Sequence, residues 1–140
     1  MLVVPFVHWH TTSPPKQADP AVRQFSAESY RELLWHLLLR GADTFFLWCP
    51  RDEAPEEVRL VHEVYSDAQE YGQFLEKGIP VSFEVPKEPG PVVSALQLGD
   101  KLLVRRTDFT NSQQPAVLVI EGKKLAVNRA PGKCTVMTLK

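Results

Sequence analysis

Residues 26–50, SAESYRELLWHLLLRGADTFFLWCP, decide the fold class. Ser26 suits a helix N-cap, and Glu28 suits the positive end of the first turn. Tyr30, Leu33, Leu34, Leu37 and Leu38 recur at helical spacing and make one apolar face. Gly41 falls where a left-handed C-cap belongs, just after Arg40. Thr44 to Cys49 then forms a short apolar strand, ended by Pro50. On the N-terminal side, Leu2 to His10 is β-rich, with Val3, Val4, Phe6, Val7 and Trp9. Its nearly continuous apolar character is that of a strand buried on both faces. Pro5 fits there only where its missing N–H is not needed, as at a bulge. On the C-terminal side, Arg51 to Ala54 is a charged turn. Pro55, Glu56 and Glu57 open a helix. Val58, Val61, Tyr65, Ala68, Phe74 and Leu75 carry its stripe to about Lys77, where Gly78 stops it. Gly72 weakens it locally by ~1 kcal/mol. Strand, helix, strand, helix is the unit of α/β folds, whose functional groups gather at the C-terminal ends of strands. Those ends carry His8, Trp9, His10, Trp48 and Arg51.

After Gly78 the pattern changes. Val81 to Val85 alternates with period two. Pro86, Pro89, Gly90 and Pro91 make a corner. Val93–Leu98 and Leu102–Arg106 flank the two-residue turn Gly99-Asp100, of the I′ or II′ kind. Ala116–Ile120 and Lys124–Val127 flank a second, Glu121-Gly122. Cys134 to Leu139 is a last strand. Six short strands with two tight hairpins predict a small antiparallel, sandwich-like domain. The chain as a whole is then α+β, with a βαβα unit over residues 1–78 and a β-domain over residues 79–140.

The 140 residues suffice for a sizeable core, and 44% apolar with 24% charged is ordinary for a globular protein. Sixteen basic and seventeen acidic residues leave a net charge of −1, which gives no support for nucleic-acid binding. No apolar run reaches the roughly 18 residues of a membrane span, so no membrane partner is expected. The N-terminus lacks the basic region and cleavage site of a signal peptide, and the compartment stays open. Cys49 and Cys134 form no C-x-x-C motif. Two buried free thiols are expected, with one long-range disulfide as the alternative.

The run VVPFVHWH, the run YRELLWHLLLRGADTFFLWCP, the helix from Pro55 to Lys77 and the hairpins LQLGDKLLVRR and LVIEGKKLAVN together resemble the C-terminal portion of a TIM-barrel glycoside hydrolase. The resemblance spans nearly the whole chain. It implies that the first strand is similar to barrel strand seven, the second to strand eight, and the tail to the β-sandwich that follows such barrels. It also implies a carbohydrate ligand and no cofactor. Many retaining enzymes of this type carry a catalytic glutamate at the end of strand seven. This chain has His8-Trp9-His10-Thr11-Thr12 there, and no pair of catalytic carboxylates is identifiable. The resemblance therefore implies a fragment that is inactive alone.

The expected substrate-binding residues are His8, His10, Trp48 and Arg51. His8 and His10 share one strand face, because the side-chain period is two. They are open to three uses: structural hydrogen bonds, contact with a polar ligand, or metal ligation in a metal-dependent hydrolase. No third ligand stands at a telling spacing, and no metal is expected. Trp48 is either a stacking platform for a sugar or a packing residue. Arg51, with Asp52 and Glu53, either touches a ligand or serves the next helix. Trp9 and Trp35 are read as core, His36 and His62 as partly exposed helix positions, and Arg105, Arg106, Asp108, Lys123 and Lys124 as solvated hairpin faces. A second class of function is a non-catalytic α+β interaction or assembly protein. Two parallel strands cannot close a barrel. Their edges must be covered by the missing N-terminal part of a parent chain or by self-association into a homo-oligomer.

Overall fold

The computed structural model describes residues 1–9, 26–47, 54–110 and 113–140. His10, Trp48, Cys49 and Arg51, with the Thr11–Gln24 loop, lie outside the described residues.

The chain is α+β. In order, β1 (Phe6–Val7), α1 (Ala27–Leu39), β2 (Phe46–Leu47), α2 (Ala54–Ala68) and α3 (Gly72–Lys77) precede β3 (Ile79–Pro80), β4 (Pro91–Leu98), β5 (Lys101–Asp108), β6 (Ala116–Ile120), β7 (Lys123–Val127) and β8 (Thr135–Thr138). β1 and β2 are parallel, with Phe6 opposite Phe46 and Val7 opposite Leu47. β3-β4-β5-β8 is an antiparallel sheet, and β6–β7 is a separate hairpin.

Local chemistry accounts for most boundaries. The Ser26 side chain accepts a hydrogen bond from the Ser29 N–H at 3.0 Å and caps α1. Gly41, at φ +99, ends it in a conformation that L side chains avoid. Gly99 alone has positive φ in the first hairpin turn, the type II′ pattern. Glu121 and Gly122 both have it in the second, the type I′ pattern.

Three expectations are corrected. The strands expected over Leu2–His10 and Thr44–Cys49 each form only two ladder residues, Phe6–Val7 and Phe46–Leu47. Val3 is tied to Asp43 instead, its carbonyl accepting from the Asp43 N–H at 2.9 Å and its N–H donating to Asp43 Oδ2 at 2.7 Å. The helix expected to run from Pro55 to Lys77 is interrupted by the 3-10 turn Gln69–Tyr71 just before Gly72, where helix propensity is weakest. Val81 to Val85 forms no ladder. β3 ends at Pro80, and one further bond, from the Val81 N–H to the Ala95 carbonyl at 3.1 Å, closes its pairing with β4.

The layers follow from side-chain alternation. Ser94 and Leu96 of β4, with Leu103, Arg105 and Thr107 of β5, face α1. Ala95, Leu102 and Val104 face the β6–β7 hairpin. One apolar cluster joins Val7, Trp9, Tyr30, Leu34, Leu38, Leu60 and Val64 to Leu96 and Leu103. The other joins Ala95, Leu102 and Val104 to Ala116, Leu118, Ile120 and Val127. The first cluster draws on both sides of Gly78, so the helices and the four-stranded sheet share a core. Gly78 itself sits so close to α3 and β4 that an added Cβ would overlap the Phe74 carbonyl oxygen and stand 3.1 Å from Leu96 Cβ.

Candidate functional site

Two groups of polar side chains are built into this frame. The first lies at the C-terminal end of the parallel pair, where α/β folds place their ligands. His8 follows β1 directly and is half-buried; Trp9 is buried. Tyr30 stands near the start of α1 and Glu57 in the first turn of α2, so both helices present their N-terminal ends there. The rings of Trp9 and Tyr30 stack at 5.8 Å. The Tyr30 hydroxyl donates to Glu57 Oε1 at 2.5 Å. Glu57 is fully buried, and its Oε2 has no hydrogen-bond partner among the described residues. Sequence reasoning assigned Glu57 to the helix dipole. A carboxylate in a first turn is ordinary there, and nothing in its spacing signals burial. Of the four expected binding residues, His8 is the one the described structure places. Trp9 and Trp35 are core, as read from sequence.

The second group is a polar seam between α1 and the sheet. Glu32, His36 and Arg40 are spaced at i, i+4 and i+8, one stripe of the helix. Arg105 clasps Glu32 with two charge-assisted bonds, Nη2 to Oε1 at 2.6 Å and Nε to Oε2 at 2.8 Å. Its guanidinium also lies 4.5 Å over the Trp35 ring, a cation–π contact. The Thr107 hydroxyl donates to Glu32 Oε2 at 2.6 Å. Burial pushes the Glu32 carboxyl up, but the bonds from Arg105 and Thr107 outweigh it and hold it below the usual range. An ionised carboxylate only accepts. Thr107 must therefore spend its proton on Glu32 and receive His36 Nε2–H, at 2.8 Å. His36 Nδ1 is then bare and accepts from the Ser94 hydroxyl, at 2.8 Å. Ser94 Oγ in turn accepts from Arg40 Nε–H, also at 2.8 Å. Every proton in the chain has one direction, and it needs a neutral imidazole. Burial, with Arg105 and Arg40 adding to it against the pull of Glu32, lowers the His36 pKa from 6.5 to about 4.

This corrects the sequence reading twice. His36 is 5% exposed, and Arg105 and Arg106 are 4% and 8% exposed rather than solvated. Arg106 turns to the other face of the sheet, where it bonds Asp108 Oδ1 at 2.9 Å and the carbonyls of Val127 and Gln114 at 2.7 Å. A serine hydroxyl on a histidine nitrogen is the geometry of nucleophile activation. Here Ser94 has zero exposure and its hydroxyl is engaged by both His36 and Arg40, so no substrate can reach it. The seam clips the helix to the sheet.

A cavity of about 750 Å3 opens beside the seam, over Trp35, Arg105 and Cys134. Its rim carries Glu28, Glu63, Asp67 and Glu70. Glu63 is paired with Arg31 at 2.7 Å and also with Arg59. Cys134 is a free, half-buried thiol whose pKa burial pushes up, which leaves it protonated and unreactive. Among the described residues, no group of three His, Cys, Asp or Glu side chains could hold a metal ion. No described helix is long and apolar enough to cross a membrane. Compared with known proteins, the chain matches no family model, no curated protein and no solved structure.

Proposed function

We propose that this chain is the closing segment of a carbohydrate-active (β/α)8-barrel protein of the glycoside hydrolase type, followed by a trailing β-sandwich-like domain, and that it turns over no glycoside alone. The observation that carries this reading is the parallel β1–β2 pair joined by α1. Val7 faces the helices and is buried, whereas Phe6 and Phe46 stack at 5.5 Å and stay 60% and 57% exposed. A strand pair with helices on one face and exposed aromatics on the other is what two neighbouring barrel strands would present without the rest of the barrel. His8 and the buried Glu57 stand at the end where such barrels bind ligands. With Glu57 fully buried, the two strands offer no accessible pair of carboxylates of the kind that hydrolysis needs.

The test has two arms. Aryl-glycosides of common sugars are expected to show no turnover with the 140-residue chain. The coding sequence in frame upstream of Met1 is expected to encode further strand–helix units, and the longer polypeptide to hydrolyse at least one of those glycosides. Turnover by the 140-residue chain, lost in Glu57→Gln, would refute the inactivity. A stop codon closing the frame immediately upstream would refute the barrel reading. The same bare Phe6–Phe46 surface favours the second reading, an assembly protein that buries this face against another chain.

A further inference from the structure

We propose that the groove between β6 and the 81–88 segment is a slot for an extended polypeptide strand supplied by a partner protein, with apolar side chains at alternate positions. The proposal stands apart from the barrel reading, because it concerns the other end of the molecule.

The register of the β6–β7 hairpin carries the argument. A two-residue turn makes Ile120 and Lys123 a hydrogen-bonded pair, and pairing alternates from there. Ala116, Leu118 and Ile120 therefore spend their backbone groups on β7. The N–H and C=O of Val117 and Val119 point the other way, to an edge that no strand covers among the described residues. That edge faces a groove of about 880 Å3. Four consecutive residues, Ala116 to Val119, line it. Consecutive residues can line a groove only by their backbone edge, since a strand face would offer every second one.

The far wall runs from Val81 to Glu88 and, beyond the bond from the Val81 N–H to the Ala95 carbonyl, forms no ladder of its own. Val93, part of the groove lining, and Val81 belong to the second apolar cluster but stay half-buried. They are half-buried because the layer above them has two strands and the sheet below has four. A third strand beside β6 would complete that layer and cover both valines. Natural edges are usually guarded by charge, proline or a bulge. Residues 116–120 read AVLVI and carry none of these, the nearest proline, Pro115, standing just before the strand. Val117 and Val119 also hold their side chains 50% and 52% exposed on the outer face. Backbone pairing would supply the affinity of such a complex, and alternate side-chain pockets over Val81 and Val93 its specificity. A second copy's β6–β7 hairpin fits less well. It would bring β7 and its whole sheet against the 81–88 wall, whereas a single strand needs only the groove.

The test is selection of a displayed random ten-residue peptide library on the intact chain, followed by titration of the enriched synthetic peptides. Enriched sequences are expected to alternate apolar and polar residues. On binding, the Val117 and Val119 amides are expected to slow in hydrogen exchange by at least tenfold, while Leu118, already bonded to β7, changes little. Val119→Pro removes one edge N–H without touching the β7 ladder and is expected to weaken binding at least tenfold; Val119→Thr, which keeps the N–H, is expected to bind as the parent does. Should Val119→Pro fail to fold, the exchange pattern in the parent chain decides alone. No enrichment, binders without alternation, or binders that leave the Val117 and Val119 amides unprotected would overturn the proposal.

Discussion

His36 is the residue on which the α1 seam turns. Its neutral ring is one link in a chain of single-direction hydrogen bonds, and a second ring proton would displace the proton that the Ser94 hydroxyl now donates to Nδ1. Its pKa of about 4 lies below the ordinary 6.5, so between those values the unfolded chain binds more protons than the folded one. Stability is thus fully present above about pH 6.5 and falls as pH drops toward 4, by on the order of 3 kcal/mol. Glu32 and Asp108, both held below the usual carboxylate range, extend the loss at lower pH. Denaturant midpoints measured from pH 7 to 4 should show the decline, and His36→Gln should flatten it above pH 4.5. Glu121 makes a simpler case. It sits at φ 50 in the β6–β7 turn, where a side chain with a Cβ costs roughly 1–2 kcal/mol and asparagine is favoured. Glu121→Asn is expected to raise stability by about 1 kcal/mol in the same assay.

At the scale of elements, the clasp between Glu32 of α1 and Arg105 of β5 is a buried ion pair with good geometry. Removing one partner leaves the other charge buried and uncompensated, at about 3–5 kcal/mol. Replacing both by apolar groups removes that penalty. Glu32→Met and Arg105→Met singly are expected to destabilise strongly, and the double variant to be at least as stable as either, as read from urea unfolding. A double variant weaker than both would mean that the Thr107 and His36 links carry the seam. The elements differ in how much of them the sequence disclosed, and the reason is the range of the forces involved. The two hairpins were legible because Gly99-Asp100 and Glu121-Gly122 select their turns locally. The α1 ends were legible from Ser26 and Gly41. The seam was not. Glu32, His36 and Arg40 repeat at the spacing of a solvent-facing stripe, and Arg105, Arg106 and Thr107 look like an exposed hairpin face. Only the packing of α1 between α2 and the sheet makes them interior, and no local pattern announces a helix covered on both sides. Glu57 was hidden for the same reason. His8 stands out in the sequence because it is a polar residue ending an apolar strand.

At the scale of the whole molecule, four-stranded sheet, helices and hairpin stack well enough to bury two apolar clusters, yet among the described residues no third strand joins the parallel pair. Phe6 and Phe46 lie exposed side by side, with Leu2, Val3 and Val4 exposed on the strand before them. An exposed apolar surface of this kind is a candidate for association. Self-association through this face in a symmetric dimer is the commonest closed solution. The central claim, that this pair is an interface wanting cover, is tested most directly by sedimentation equilibrium at micromolar concentration on the parent chain and on Phe6→Ser/Phe46→Ser. The parent is expected to sediment as a dimer or larger and the double variant as a monomer of unchanged secondary structure. A parent chain that stays a soluble monomer across that concentration range would contradict the claim.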